Sequence, residues 1–482
     1  MRALASSLAA ALLVGCCLAG CSTYTDHTRE AQRAVVSGNV EDAVLHLNRR
    51  MEVEEMDGLP ANLEDDKVLF LLERATLLQA LGNYESAARD MIHIDDRLEW
   101  VDFTGETQDN ILRFVYTDDA GEYRAPPHER LLLNTMNMVN FLAMGDTEGA
   151  RVEARRFDVM QNYYYDSDPE QVATNILGLG NYLAGVAFEL AEQYDSSVRF
   201  YTDAYAYGVW PEADEQRLLD LILLTGYRGQ GLGERRDTVG DLFERADQRE
   251  RPNRQTFRER HRSGDTLFVI QTGMVPYRRA ERIGMARAID RSRRTRHSSV
   301  HFEADTEEKA LLLASSGSFN WLNYARLTNE GLPGQRSVSL NTGETTLRLG
   351  NPVHLSGQIE ESWDEIANTA LAAGISRAVA RNVVGAGSAK ATEAIVSQSE
   401  RMEGASRLIG ALTGATIKAS MAAADTPDTR SWISLPADIH LVRMQLEPGP
   451  RELEIGVNGR TEHRSVDIHP TRFQLYNFSR LR

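Results

Sequence analysis

LLERATLLQALGNYESAARDMIHI, residues Leu71–Ile94, is the stretch whose reading decides the fold. Apolar residues recur at helical spacing on both sides of Gly82-Asn83. Glycine accepts the left-handed backbone that ends one helix, and asparagine can cap the next. The stretch therefore predicts a helix, a tight break and a second helix folded back on the first.

Three further segments align on it. The set is Gly38-NVEDAVLHL, Gly82-NYESAARDM, Gly145-DTEGARVEA and Glu192-QYDSSVRFY. A small residue stands five positions after each break (Ala43, Ala87, Ala150, Ser197). In three of the four another stands seven before it (Ala31, Ala75, Gly185), with Met138 in the remaining repeat. Small residues let two helices approach closely while Leu, Tyr and Phe fill the space between. The pattern resembles the tetratricopeptide (TPR) repeat in these positions and in the aromatic after the break (Tyr84, Tyr194). It departs in period: the breaks are 44, 63 and 47 residues apart, against about 34 in that family.

The expected fold class is an α-helical TPR-like repeat array over 29–245, followed by an α+β domain over 264–482. Glu212–Tyr227 is expected to close the array. Gly229-Gln-Gly231-Leu-Gly233 follows a helix rather than a strand, the wrong context for a phosphate loop, and reads as a hinge. Segment 246–263 reads as an Arg-rich linker. Strands are expected at Asp265–Thr272, Phe319–Leu327, Ser337–Leu340, Thr345–Leu349, Val353–Ile359, Ile439–Leu446, Glu452–Val457, Ser465–His469 and Arg472–Phe478. Asn341-Thr342-Gly343 and Glu447-Pro-Gly449-Pro read as hairpin turns. Between the strand groups, 362–424 is rich in Ala and Gly and predicts a helical insertion.

The N-terminus carries an address. Arg2 and the apolar Ala3–Val14 read as an export signal over 1–20. Leu18-Ala19-Gly20-Cys21 resembles the lipobox of bacterial lipoproteins, which implies cleavage before Cys21 and lipidation of that cysteine. Cys16 and Cys17 fall inside the removed segment, so no disulfide or catalytic thiol is expected. Ser22 after the cysteine resembles lipoproteins sorted to the outer membrane. Residues 21–28 read as a lipidated polar tether. Several buried acyl chains anchor a protein firmly without a spanning helix.

Composition is ordinary for a globular chain of 482 residues, with 42% hydrophobic and 26% charged residues. The net charge of −17 argues against nucleic acid, whose phosphates reward Lys and Arg. The sign reverses locally between Arg249 and Arg262 and again between Arg278 and Arg296. Arg278 and Arg279 are candidate contacts for anionic partners such as peptidoglycan carboxylates. The competing expectation is that these arginines pair with the surplus of Asp and Glu elsewhere.

Asp428-Thr-Arg430-Ser-Trp432-Ile-Ser-Leu435-Pro436 offers a second candidate. Arg430 beside Trp432 could form a ligand platform by stacking and bidentate hydrogen bonding. It could equally be a corner in which Trp432 plugs the core and Arg430 ties down a carboxylate. GDTLFVIQTGMVPYRRAERI, DTRSWISLPADIHLVRM and LEPGPRELEI, with the lipobox and the repeats in front, resemble a family of uncharacterised bacterial lipoproteins with TPR-like N-terminal halves. The resemblance implies architecture and address, and company with small lipoproteins resembling penicillin-binding-protein activators.

No catalytic constellation stands out: there is no H-E-x-x-H, G-x-S-x-G or Walker loop. His297 and His301, with Glu303 nearby, have the spacing of a helical metal site, but RHSSVHFEAD reads as loop and strand. No metal or cofactor is expected. The chain therefore reads as a non-enzymatic envelope scaffold on the periplasmic face of the outer membrane, offering a concave helical groove to partner proteins. Two alternatives stand beside it: a peptidoglycan-binding or peptidoglycan-processing factor, and an accessory lipoprotein of an export or polysaccharide assembly machine.

Overall fold

The structure is a computed structural model that describes residues 23–103, 123, 125–167, 174–211, 214–293, 321–330, 337–364, 367, 371, 374–375 and 427–482. Among the described residues, four helical hairpins come first. They are α1 (Tyr24–Ser37) with α2 (Val40–Met51), α3 (Lys67–Ala80) with α4 (Tyr84–Phe103), α5 (Pro127–Met144) with α6 (Thr147–Ser167), and α7 (Thr174–Leu190) with α8 (Tyr194–Ala206). Each helix contacts the next in chain order, and α5 also touches α7, as in a stacked array. α9 (Glu215–Thr225), a 3-10 turn over Gly233–Val239, α10 (Gly240–Asp247) and α11 (Arg254–His261) complete the helical region.

All four expected breaks are left-handed, at φ 88° for Gly38, 80° for Gly82, 74° for Gly145 and 60° for Glu192. Ala43, Ala87, Ala150 and Ser197 after them are fully buried. At Gly185 the reason is direct: a β-carbon there would lie 2.3 Å from the Tyr201 ring, and Ser197 donates to the Gly185 carbonyl at 2.9 Å.

The sheets follow. β1 (Asp265–Thr272), β2 (Tyr277–Gly284), α12 (Met285–Arg293), β3 (Trp321–Thr328), β4 (Val338–Asn341), β5 (Thr346–Leu349) and β6 (Val353–His354) lead into a helix α13 over 355–364. β7 (Asp438–Gln445), β8 (Gly449–Val457), β9 (Arg460–Ile468) and β10 (Gln474–Arg480) end the chain. They form a mixed sheet β10-β1-β7-β6, a ribbon β2-β3 and an antiparallel sheet β5-β4-β8-β9. β1 runs parallel to β10 and antiparallel to β7.

Every residue of β1 is buried, because its two faces meet different layers. Phe268 and Ile270 pack with Leu340, Leu453 and Ile455 of the second sheet. Leu267 and Val269 belong to a core that runs through the helical array from Tyr24 to Leu481. The inner helices answer this: α3 is buried from Val68 to Gln79 and α7 from Ile176 to Glu189. A helix buried all round lies in an inner layer, and here that layer is between outer helices and the mixed sheet.

Several expectations are corrected. The tether over 21–28 gives way at Thr23, which caps α1 in a capping box with Asp26, and Tyr24 is already core. The Arg-rich linker over 246–263 is built into the array: Phe257 stacks edge-on against Tyr194 at 5.2 Å. The strand over Val353–Ile359 stops at His354 and turns helical. Glu447–Pro450 is no hairpin turn, since β7 and β8 lie in different sheets; the chain crosses there between layers. The hairpin is at Asn458-Gly459, both at positive φ (50° and 75°), which joins β8 to β9. Most of 362–424, the export signal, Cys21, His297 and His301 lie outside the described residues.

Candidate functional site

The inner helices of the array are covered by a later stretch of the chain itself. Segment 427–437 is held by carboxylates projecting from the inner helices. Glu73 of α3 accepts from the Ile433 and Ser434 amides, both at 2.7 Å, and from the Tyr24 hydroxyl at 3.1 Å. Glu129 of α5 accepts from the Trp432 amide at 3.0 Å and from the Tyr123 hydroxyl. Burial raises both carboxyls, Glu73 to about 7, against the pull of these hydrogen bonds. Buried acids of this kind persist only where donors surround them.

Trp432 is the plug of this junction, 1% exposed. Its indole donates to Thr76 on α3. Arg430 is 2% exposed and bound bidentately to Asp428, at 2.9 and 3.1 Å. The reading of Arg430 and Trp432 as a ligand platform is therefore corrected: both side chains are buried, Arg430 on Asp428 and beside Tyr123 and Trp432 on the helices, so they form a corner that docks one half of the chain on the other.

Arg278 and Arg279 alternate on β2 and so point to opposite sides of the ribbon. The Arg278 guanidinium stacks over Trp363 at 5.1 Å, while its carbonyl accepts from the Thr25 hydroxyl at 2.5 Å. Arg279 is exposed and pairs with Glu330. It lines a cleft of about 720 Å³ with Thr23, Asp26, Arg29 and Tyr277, floored by Ile433. Arg278 thus joins the Trp432 junction, and Arg279 joins the cleft beside α1.

The first arginine group is bound internally. Arg249, Arg260 and His261 converge on the buried Asp220 at 3.5, 3.2 and 2.9 Å. Arg258 and Arg262 pair with Glu192. These residues match the expectation of pairing with the acidic surplus rather than a free basic face.

A second polar joint was not anticipated. Arg443 of β7 binds Asp265 at 2.9 and 2.7 Å, Glu189 of α7 at 3.1 Å and the Tyr201 hydroxyl at 2.7 Å. Arg217 of α9 closes the ring with Glu189 at 2.5 Å, Asp214 at 2.7 Å and Asp265 at 3.0 Å. Burial alone would raise the Glu189 carboxyl; Arg217 and Arg443 outweigh it and hold it well below the usual range. The available signal was a charge at a helical position that the apolar period assigns to the inside, as in Ala187-Phe-Glu189-Leu and Leu71-Leu-Glu73-Arg.

A cleft of about 790 Å³ opens beside the β6 edge of the mixed sheet, where the chain passes from β5 of the other sheet into β6. It is lined by Val209, Trp210 and Pro211 after α8, by Leu347 and Leu349 of β5 with Gly350 beyond them, and by His440–Arg443 of β7. Among the described residues, no group of three His, Cys, Asp or Glu is placed to hold a metal, and no helix is long and apolar enough to cross a membrane. No family model, no curated protein and no solved structure matches this chain.

Proposed function

We propose that the protein is a lipid-anchored, non-enzymatic interaction scaffold of the bacterial cell envelope, fixed through Cys21 to the periplasmic face of the outer membrane. In this reading the helical hairpins are divergent TPR-type repeats. The observation that carries it is the pairing of Leu18-Ala19-Gly20-Cys21 with a helix whose cap, Thr23, stands two residues after the cysteine. At about 3.3–3.6 Å per extended residue, a lipid on Cys21 holds the start of α1 within about 10 Å of the bilayer. The body then lies against the membrane instead of hanging from a tether.

Trp432 and β1 share the core of the inner helices, so in this reading partners bind elsewhere. Envelope proteins would meet the outer helices, where Val152, Val159 and Tyr163 of α6 are exposed, or the sheet edges.

Radiolabelled palmitate and membrane fractionation test the anchor. The natural chain should take up label and partition with the outer membrane, and Cys21→Ala should be unlabelled and released. Membrane retention of Cys21→Ala would sink the anchored reading. In-cell crosslinking that captures no envelope protein would sink the scaffold.

A further inference from the structure

We propose that the cleft at the β7 edge is a docking site for an extended polypeptide segment of a partner protein, added as a strand beside β6. β7 is paired with β1 along its whole length, from Asp438 to Gln445. Its other edge meets β6 at Asp438 and Ile439 alone. Beyond that point the chain peels away through Pro352 and Asn351, the latter at φ 48°, and β5 joins the other sheet. No strand covers the rest of the β7 edge among the described residues.

Backbone direction shows what that edge presents. Gly273 donates to Arg480 of β10, whereas Gly264 accepts from Leu446 beside β7. Even-numbered residues of β1 thus face β7. The register then turns even-numbered β7 residues toward β1 and odd-numbered ones toward β6. Ile439 is already paired with Val353, so the amide and carbonyl of the half-buried Leu441 come next along the cleft, with those of the buried Arg443 behind them.

Backbone groups aligned at an edge are a template for another strand. Val209, Trp210, Pro211, Leu347 and Leu349 wall the cleft, which suits apolar side chains at alternate positions of the incoming segment. Two buried polar atoms of lining residues, Trp210 Nε1 and His440 Nδ1, have no hydrogen-bond partner among the described residues. The occupant class is a strand rather than a helix, because only an extended backbone matches the spacing of the exposed groups.

The inference deepens the scaffold reading by naming a partner chemistry, but its test does not depend on the anchor. Random octapeptides displayed on phage would be selected on the full chain, and the winners followed by amide hydrogen exchange. In the free protein, the Leu441 amide should exchange at least tenfold faster than those of His440 and Val442. Selected peptides should slow it at least tenfold, and N-methylated copies of those peptides should bind at least tenfold more weakly. Gly350→Trp should block binding without unfolding the chain, because a β-carbon at Gly350 meets nothing within 4 Å.

Four results would overturn the proposal. They are a Leu441 amide already protected in the free chain, no selected peptide that protects it, equal binding by N-methylated copies, or unchanged binding to Gly350→Trp. Crosslinks to envelope proteins that survive Gly350→Trp would remove the cleft while leaving the scaffold in place.

Discussion

The indole Nε1 of Trp432 donates a 2.9 Å hydrogen bond to Thr76 Oγ1, joining residues 356 apart in sequence. The bond is made inside a core that helices and sheet share, so it should report on the stability of both halves at once. Trp432→Ala is expected to cost about 3–5 kcal/mol. Thr76→Val, which keeps the shape and orphans the indole donor, should cost about 1–3 kcal/mol. Urea titrations followed by far-UV circular dichroism and by tryptophan fluorescence should give one coincident transition. Two separate transitions would mean that the halves are independent domains.

The Arg443–Glu189–Arg217 joint predicts a different response. Removing one member of a buried ion pair leaves its partner uncompensated and typically costs about 3–5 kcal/mol. Glu189→Ala strips a shared partner from two buried guanidiniums, so it should fall in that range. The double variant Glu189→Leu with Arg443→Met should recover part of the loss. A double variant no better than the single one would count against this reading of the joint.

Glu73 and Glu153 are raised by burial to about 7, and Asp203 to about 6. A raised carboxyl binds its proton more tightly in the folded chain than in the unfolded one. Its contribution is therefore complete below the unfolded value and fades as pH rises through the folded one. Stability should fall as pH goes from 5.5 to 8, and Glu153→Gln should flatten the fall. Urea midpoints measured across that range decide it, and a rising midpoint would refute the assignment.

Two glycines separate crowding from backbone strain. Gly185→Ala would drive a β-carbon to 2.3 Å from the Tyr201 ring, whereas Gly145→Ala meets nothing within 4 Å but sits at φ 74°. Overpacking costs about 1–3 kcal/mol, and a left-handed non-glycine residue about 1–2 kcal/mol. Tyr201→Leu takes a hydroxyl from the Arg443 joint and is costly by itself, but it should cost less in the Gly185→Ala background than in the Gly145→Ala background. Thermal melts of the four variants test the difference.

Much of the helical half was legible because a hairpin is a local object. The break residues and the small residues beside them lie within a dozen positions of each other, and both were placed. β1 was legible as an apolar run bounded by Gly and Pro. What could not be read was which strand sits beside which. Glu447–Pro450 carries turn residues, yet its strands part into different sheets, and nothing local distinguishes a crossing from a hairpin. Asn458-Gly459 carries the stronger local signal, Asn-Gly between alternating residues, and the hairpin forms there. The Trp432 junction was open to two readings from sequence, since burial of a Trp depends on a helix some 350 residues away.

The position of β1 also bears on how the chain is assembled in time. Both of its neighbours, β7 and β10, come from the last stretch of the polypeptide, and Thr25 of the first helix bonds to Thr429 at 3.3 Å. A chain emerging from its N-terminus first therefore cannot complete its central sheet or seat its opening helix until the final strand is free. Long-range pairing of this kind slows folding and prolongs exposure of apolar surface. The inner faces of α3, α5 and α7 stay uncovered for that interval, which is when the chain exposes most of its apolar surface to solvent.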